Sequence, residues 1–245
     1  MSIAHRFKDH NFFTNKEIYN FYAEKEKEIS KSTVNWRIYQ LVQSGKISRI
    51  GRGRFIVGAP KTFKPLPKRK ELKISKELRQ GFPFLDYCIW NSNIIQELSI
   101  HQAQNHFIIV ETDRDSLEAV FQHLKANHKH VYLKPTKDAV ENYLLDIANP
   151  IIIQNLVSEA PTQLIKDLPS TSIEKLLVDL VSYKALFYFY QGYELINIFQ
   201  RALEKYTVNR STLFRYASRR KKKAKIQEIF SNDQIITSRF MTKRR

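Results

Sequence analysis

Three carboxylates, Asp86, Glu111 and Asp113, are the residues of this 245-residue chain whose type and position could support hydrolysis. A nuclease-like core sets an acid at a strand end with a lysine shortly after it, to hold a divalent ion and orient water. Glu111 ends a β-prone run, but Thr112, Asp113 and Arg114 follow, with no lysine in the required place. Asp113 and Asp115 sit where a helix N-terminus needs a cap. His101, His106, His123, His128 and His130 are numerous but have no cysteine partners, so packed or surface imidazoles are expected. The single cysteine, Cys88, excludes an intramolecular disulfide and a cysteine-based zinc site. There is no Gly-rich phosphate loop, no GxSxG and no HExxH. The residues therefore point to no catalytic site, no metal and no cofactor.

A different chemistry is concentrated between Ser30 and Val57. Val34, Ile38, Leu41 and Val42 recur at helical spacing, and Gly45 stands where a helix C-terminus favours positive φ. Two β-prone runs follow, Ile47–Ile50 and Arg54–Val57, joined through Gly51-Arg52-Gly53. A helix with a basic hairpin behind it is the outline of a winged helix-turn-helix. Opposite the apolar stripe lie Ser32, Thr33, Trp36, Gln40 and Gln43, with Arg37 at the boundary. Such side chains can hydrogen-bond base edges or phosphates. Lys46, Arg49, Arg52 and Arg54 make the hairpin cationic, which suits a phosphate or a narrow minor groove. A solvated hairpin tip is the plainer reading of those charges, and Trp36 could equally pack against the second domain.

Charge is distributed in blocks. Residues 1–70 carry 16 Lys/Arg against 5 Asp/Glu, residues 71–200 carry 11 against 16, and residues 201–245 carry 14 against 3. The blocks are +11, −5 and +11 within a net charge of +17. A basic head and tail around an acidic middle suggest nucleic-acid contacts at the ends and another task in the centre. With no signal peptide and no long apolar run, a soluble, cytoplasmic protein is expected.

The elements that must position these residues read as an α+β protein. Residues 1–60 form the winged-helix head, with its first helix over Asn15–Ala23 behind Thr14 or Asn15. Residues 61–75 form a basic, Pro-containing linker. Residues 76–230 form an α/β domain with a small sheet and a helical C-terminal part. In it Leu78 to Leu98 is expected to be mostly helical, and strands are expected at His106–Glu111, His130–Leu133 and Pro150–Gln154. A helix is expected over Lys137–Leu145, another opens at Thr171-Ser172-Ile173-Glu174, and further ones cover about Leu186–Tyr190 and Tyr193–Tyr206. The last runs from the Asn209 cap through the RYASRRKKKAK segment, and residues 231–245 form a flexible tail. Arg210, Arg215, Arg219, Arg220, Lys221, Lys222 and Lys223 make that final helix a second candidate contact for nucleic acid or an acidic partner. Glu159, in Ser158-Glu159-Ala160-Pro161, has a backbone amide or a base from the C-terminal helices as its expected partner, with a partner-binding surface as the alternative.

The head's TVNWRIYQLVQSGKISRIGRGRF, the middle's LVSEAPTQ and TSIEKLLVDL, and the tail's YTVNRSTLFRYASRR together resemble the AbiEi-type antitoxin and transcriptional regulators of type IV toxin–antitoxin systems. The resemblance spans about residues 10 to 225. It implies a winged helix that binds and represses its own promoter. It also implies a C-terminal domain that counteracts a nucleotidyltransferase-type toxin, with or without contact. DNA contact carries over to Ser32, Thr33, Arg37, Arg49, Arg52 and Arg54, and no residue-level assignment follows for the antitoxin role. The expected partners are double-stranded promoter DNA and that toxin, with no membrane. A metal-dependent or degenerate nuclease-like domain targeted by the head is the alternative, and a protein-binding winged helix is a third.

Overall fold

The computed structural model describes residues 2–8, 10, 12–26, 28–101 and 106–231. Its chain divides into two compact units, Met1–Thr62 with Lys205–Ser211, and Phe63–Glu204 with Thr212–Arg245.

The first unit contains α1 (Ile3–Arg6), β1 (Phe13–Thr14), α2 (Asn15–Ala23), α3 (Lys31–Gln43), β2 (Ile47–Gly51) and β3 (Arg54–Val57). The α2 helix starts where Thr14 and Glu17 cap each other reciprocally, the Glu17 amide donating to Thr14 Oγ1 at 3.3 Å and the Thr14 amide to Glu17 Oε2 at 2.7 Å. Ser30 caps α3, accepting from the Thr33 amide at 3.1 Å. Past the Ser44 C-cap of that helix stands Gly45, whose φ of +67° disfavours any residue with a Cβ. The β2–β3 hairpin turns through Gly53 at φ +66°, and a register shift between Arg49 and Gly51 leaves Ile50 as a bulge. Short β1 completes an antiparallel sheet in the order β1-β3-β2. Ile18, Phe21, Val34, Ile38, Ile47 and Phe55 close the core beneath it. Each such side chain contributes about 1.5–3 kcal/mol on burial. Residues 205–211 belong to this unit as well: the Thr207 amide donates to the Lys61 carbonyl at 2.8 Å, and the Lys61 amide to Thr207 Oγ1 at 2.9 Å. The head is therefore not continuous in sequence.

The second unit is built on a four-stranded sheet. Its elements begin with α4 (Arg69–Gly81), β4 (Tyr87–Asn91), β5 (Ile108–Thr112), α5 (Leu117–Asn127) and β6 (Val131–Leu133). Next come α6 (Lys137–Ala139), running into a π-turn over Val140–Leu144, and β7 (Ile151–Asn155). The order is β4-β5-β7-β6, with β5, β7 and β6 parallel and β4 antiparallel at one edge. All five residues of β4 and of β5 are buried. A separate hairpin, β8 (Thr162–Ile165) with β9 (Leu168–Thr171), leads into α7 (Ile173–Ser182), whose residues from Ile173 to Val181 are all buried. A helix buried on every side lies inside the core, and its charged residues Glu174, Lys175 and Asp179 are buried with it. After it come α8 (Tyr193–Lys205), α9 (Arg210–Arg219) and a helical stretch over residues 223–231.

Several expectations are corrected here. The segment around Cys88 and Trp90 is the strand β4, not a helix, because a short run buried on both faces carries no alternation to betray its period. The linker expected over 61–75 ends at Lys68: Arg69–Gly81 is a helix with Glu71, Ile74 and Ser75 buried. The helix expected over Lys137–Leu145 keeps only three α-helical residues before its π-turn. Ser172, rather than Thr171, caps α7, accepting from the Lys175 amide at 3.2 Å. The final basic helix is broken at Lys221, whose φ is +54°, and resumes at residue 223. The tail beyond residue 231 lies outside the described residues.

Candidate nucleic-acid interface and buried ion cluster

On α3 the stripe Val34 and Ile38 is buried, with Leu41 and Val42 half-buried beside it. Ser32, Thr33, Trp36, Gln40 and Gln43 are exposed on the opposite side, Trp36 by 62%. Tyr39, three residues further along the helix, stands 58% exposed. On the hairpin Lys46, Arg49 and Arg52 are exposed. Arg49 lies over the Phe55 ring at 5.4 Å and Arg54 over Phe12 at 5.0 Å, so each guanidinium is seated on an aromatic face.

Arg37 behaves differently. Its guanidinium makes two hydrogen bonds to Glu26, at 2.7 and 3.0 Å, and lies over the Tyr22 ring at 4.7 Å. That contact holds the Glu26 carboxyl below its usual range and the Arg37 guanidinium above. Arg37, expected at the DNA, thus meets an acid within its own unit. Glu26 precedes it by eleven residues, a spacing no local pattern announces.

The basic tail is also partly occupied. Arg219 pairs with Glu159, as expected of that acid, and donates to Ser158 Oγ at 3.1 Å. Arg220 is turned inward, its Nε 3.6 Å from Asp179 Oδ1 and its plane over the Tyr183 ring at 4.4 Å. Arg220 is therefore withdrawn from the candidate surface. Arg215, Lys221 and Lys223 remain exposed and Lys222 is half-buried. Arg210 belongs to the first unit and lies over Phe12 at 5.4 Å.

The candidate carboxylates have separate fates. Asp86 is exposed, while Asp113 accepts from the Asp115 and Ser116 amides at 3.0 and 2.9 Å, a cap before α5. Those bonds, the Ser116 one foremost, hold its carboxyl below the ordinary range. Asp115 makes no such cap and is exposed. Glu111 is fully buried in a cluster that sequence reading did not find. Lys175 donates to Glu111 Oε2 and, at 2.5 Å, to Asp179 Oδ2. Trp90 Nε1 donates to Glu111 Oε2 at 3.0 Å and the Tyr183 hydroxyl to Oε1 at 2.7 Å. The Tyr216 hydroxyl donates to Asp179 Oδ1 at 2.9 Å. Glu111 thus accepts from three donors, Lys175, Trp90 and Tyr183. Two acids, Glu111 and Asp179, face two bases, Lys175 and Arg220, and burial raises the Asp179 carboxyl above its ordinary value. Burial opposes the Lys175 ammonium, but Asp179 and Glu111 outweigh it and hold its pKa well above the ordinary value. Burial likewise raises the phenols of Tyr183 and Tyr216 and the thiol of Cys88, leaving the last a poor nucleophile.

The lysine missing after Glu111 thus arrives from α7, 64 residues later. The only local signal was Lys175 and Asp179 at i,i+4 inside an apolar helix, where charges ordinarily require partners. Of the histidines, His123 and His128 share Glu77, with Nε2 at 3.3 and 2.8 Å from its carboxylate. His106 is half-buried, and burial depresses its pKa. His101 and His130 are exposed. Among the described residues, no group of three or more His, Cys, Asp or Glu is placed to hold a metal ion. No helix among them is long and apolar enough to cross a membrane.

These elements define an α+β protein with small sheets and C-terminal helices, carrying a cationic hairpin in one unit and a buried cluster of acids and bases in the other. The chain belongs to a family of unknown function, DUF6577, whose model matches residues 33–236. No curated protein matches it.

Proposed function

We propose that the protein is a non-enzymatic, cytoplasmic DNA-binding repressor whose first unit is a winged helix and whose second unit serves as an antitoxin. The observation that carries the DNA-binding part is the pairing of an exposed cationic hairpin with a helix whose exposed face holds hydrogen-bonding side chains. In this reading Lys46, Arg49, Arg52 and Arg54 neutralise phosphates and position the head, while α3 faces base edges. The antitoxin part rests on the resemblance to AbiEi-type regulators. Its counterpart is a nucleotidyltransferase-type toxin, counteracted with or without contact.

The direct test is fluorescence anisotropy of the full chain on duplex DNA from its own promoter, across a salt series. Replacing both Arg52 and Arg54 by alanine should weaken binding and lower the salt slope by about 1.8, near 0.9 per phosphate contact. Unchanged binding would sink the hairpin assignment. Co-expression with the neighbouring gene tests the second unit: relief of that product's toxicity supports the antitoxin role, and no relief refutes it.

One observation favours the nuclease reading, namely a glutamate at a strand end beside a lysine. Both side chains are fully buried and each is matched by opposite charge. Incubating plasmid with the protein and Mg²⁺ or Mn²⁺ separates the readings, since the repressor leaves the DNA uncut.

A further inference from the structure

We infer that the exposed face of α3 reads A·T base pairs in the major groove, with Trp36 packed on thymine 5-methyl groups and Gln40 and Gln43 on adenine; this rests on the DNA-binding reading. At 100° per residue, Trp36 lies diametrically opposite the buried stripe of Val34, Ile38 and Leu41. Ser32, Thr33, Tyr39, Gln40 and Gln43 fall within about 60° of it on the same face. None of these six side chains is charged. The helix contains no Asp or Glu, and Arg37, at the boundary, is bound by Glu26.

The donor and acceptor code decides between bases. Guanine is read by Arg or Lys and cytosine is matched by an acid, and the face centred on Trp36 offers neither. Glutamine makes paired hydrogen bonds to adenine N6 and N7, and thymine presents a methyl group that favours apolar contact. An uncharged amide face with an exposed indole at its centre matches that combination. The exposure also has a physical cost: Trp36 and Tyr39, 62% and 58% exposed at i,i+3, leave two large rings in water unless a partner covers them. A phosphate would not relieve that cost, whereas a row of thymine methyls would.

The test uses the full chain and duplexes that it selects from a random-sequence pool. The expected core is A·T-rich. Replacing thymine by uracil removes only the methyl group and should weaken binding about fourfold for each methyl contacted. The W36A variant, at an exposed position and checked for folding by circular dichroism, should bind thymine and uracil duplexes equally. The inference is overturned if wild type binds both duplexes alike, if the selected core is G·C-rich, or if W36A keeps the full methyl dependence. In each of those cases DNA binding itself stands. Failure to enrich or bind any duplex overturns the DNA-binding reading as well.

Discussion

Replacing Lys175 by methionine tests the buried cluster most sharply. Methionine fills the space of the lysine stem, so the change removes a charge rather than opening a cavity. It leaves Glu111 and Asp179 in the core with Arg220 as the remaining base of the cluster, 3.6 Å from Asp179. Glu111 then keeps only the Trp90 and Tyr183 donors. Removing one partner of a buried pair costs about 3–5 kcal/mol, because the other charge stays desolvated. A unit of this size shifts its midpoint by about 2–4 °C per kcal/mol, so K175M should melt about 6–20 °C lower. Fluorescence is a selective assay. The chain has two tryptophans, and Trp90 hydrogen-bonds to Glu111 while Trp36 is exposed in the first unit. In a Trp36→Phe background, emission reports on the second unit alone. Adding E111Q to K175M should recover at least about 1 kcal/mol of the loss, since the pair is coupled. A K175M protein within about 0.5 kcal/mol of its parent, a surface-like effect, would refute the closed ion cluster.

Three other outcomes follow from the same contacts. The pKa values of Lys175, Tyr183 and Tyr216 are raised on folding, so their contribution is complete below the unfolded values near 10 and is lost as pH rises through the folded ones. Urea midpoints should therefore be flat from about pH 7 to 8, begin to fall near about pH 8.5 where the unfolded Cys88 thiol titrates, and fall more steeply above about pH 10, with a shallower fall in K175M; a flat profile to about pH 11 contradicts the cluster. Tyr216→Phe removes one donor to buried Asp179 and should cost about 1.5–3 kcal/mol in the same titration. Glu26→Gln releases Arg37 and removes a negative charge near α3, so it should tighten DNA binding, whereas Arg37→Ala should weaken it less than Arg52→Ala; the reverse order would place Arg37 on the DNA.

Much of the first unit was legible because its signals are local. The Thr14 cap and the glycines at Gly45 and Gly53 each act within a few residues. The apolar stripe of α3 follows from its period alone. In the second unit the parallel strands were legible as β-branched apolar runs, but β4 was not: it is equally buried, yet Ile89 is its only β-branched residue, so neither period nor composition marks it as a strand. The β8–β9 hairpin escaped notice for another reason: its turn residues, Lys166 and Asp167, adopt positive φ without a glycine to mark it.

The sequence by itself determined local conformation and charge: which segments cap, turn and alternate, and that the basic residues gather at the two ends. Which of those charges face a partner was decided by tertiary structure. Arg37, Arg219 and Arg220 read as surface cations in one dimension, yet each meets an acid brought from elsewhere in the chain. Glu111 read as an acid without its lysine until α7 folded against the sheet and supplied one. Charge is a property of the residue, whereas its availability depends on the distance to an opposite charge and on the water excluded between them, and only folding sets those two quantities.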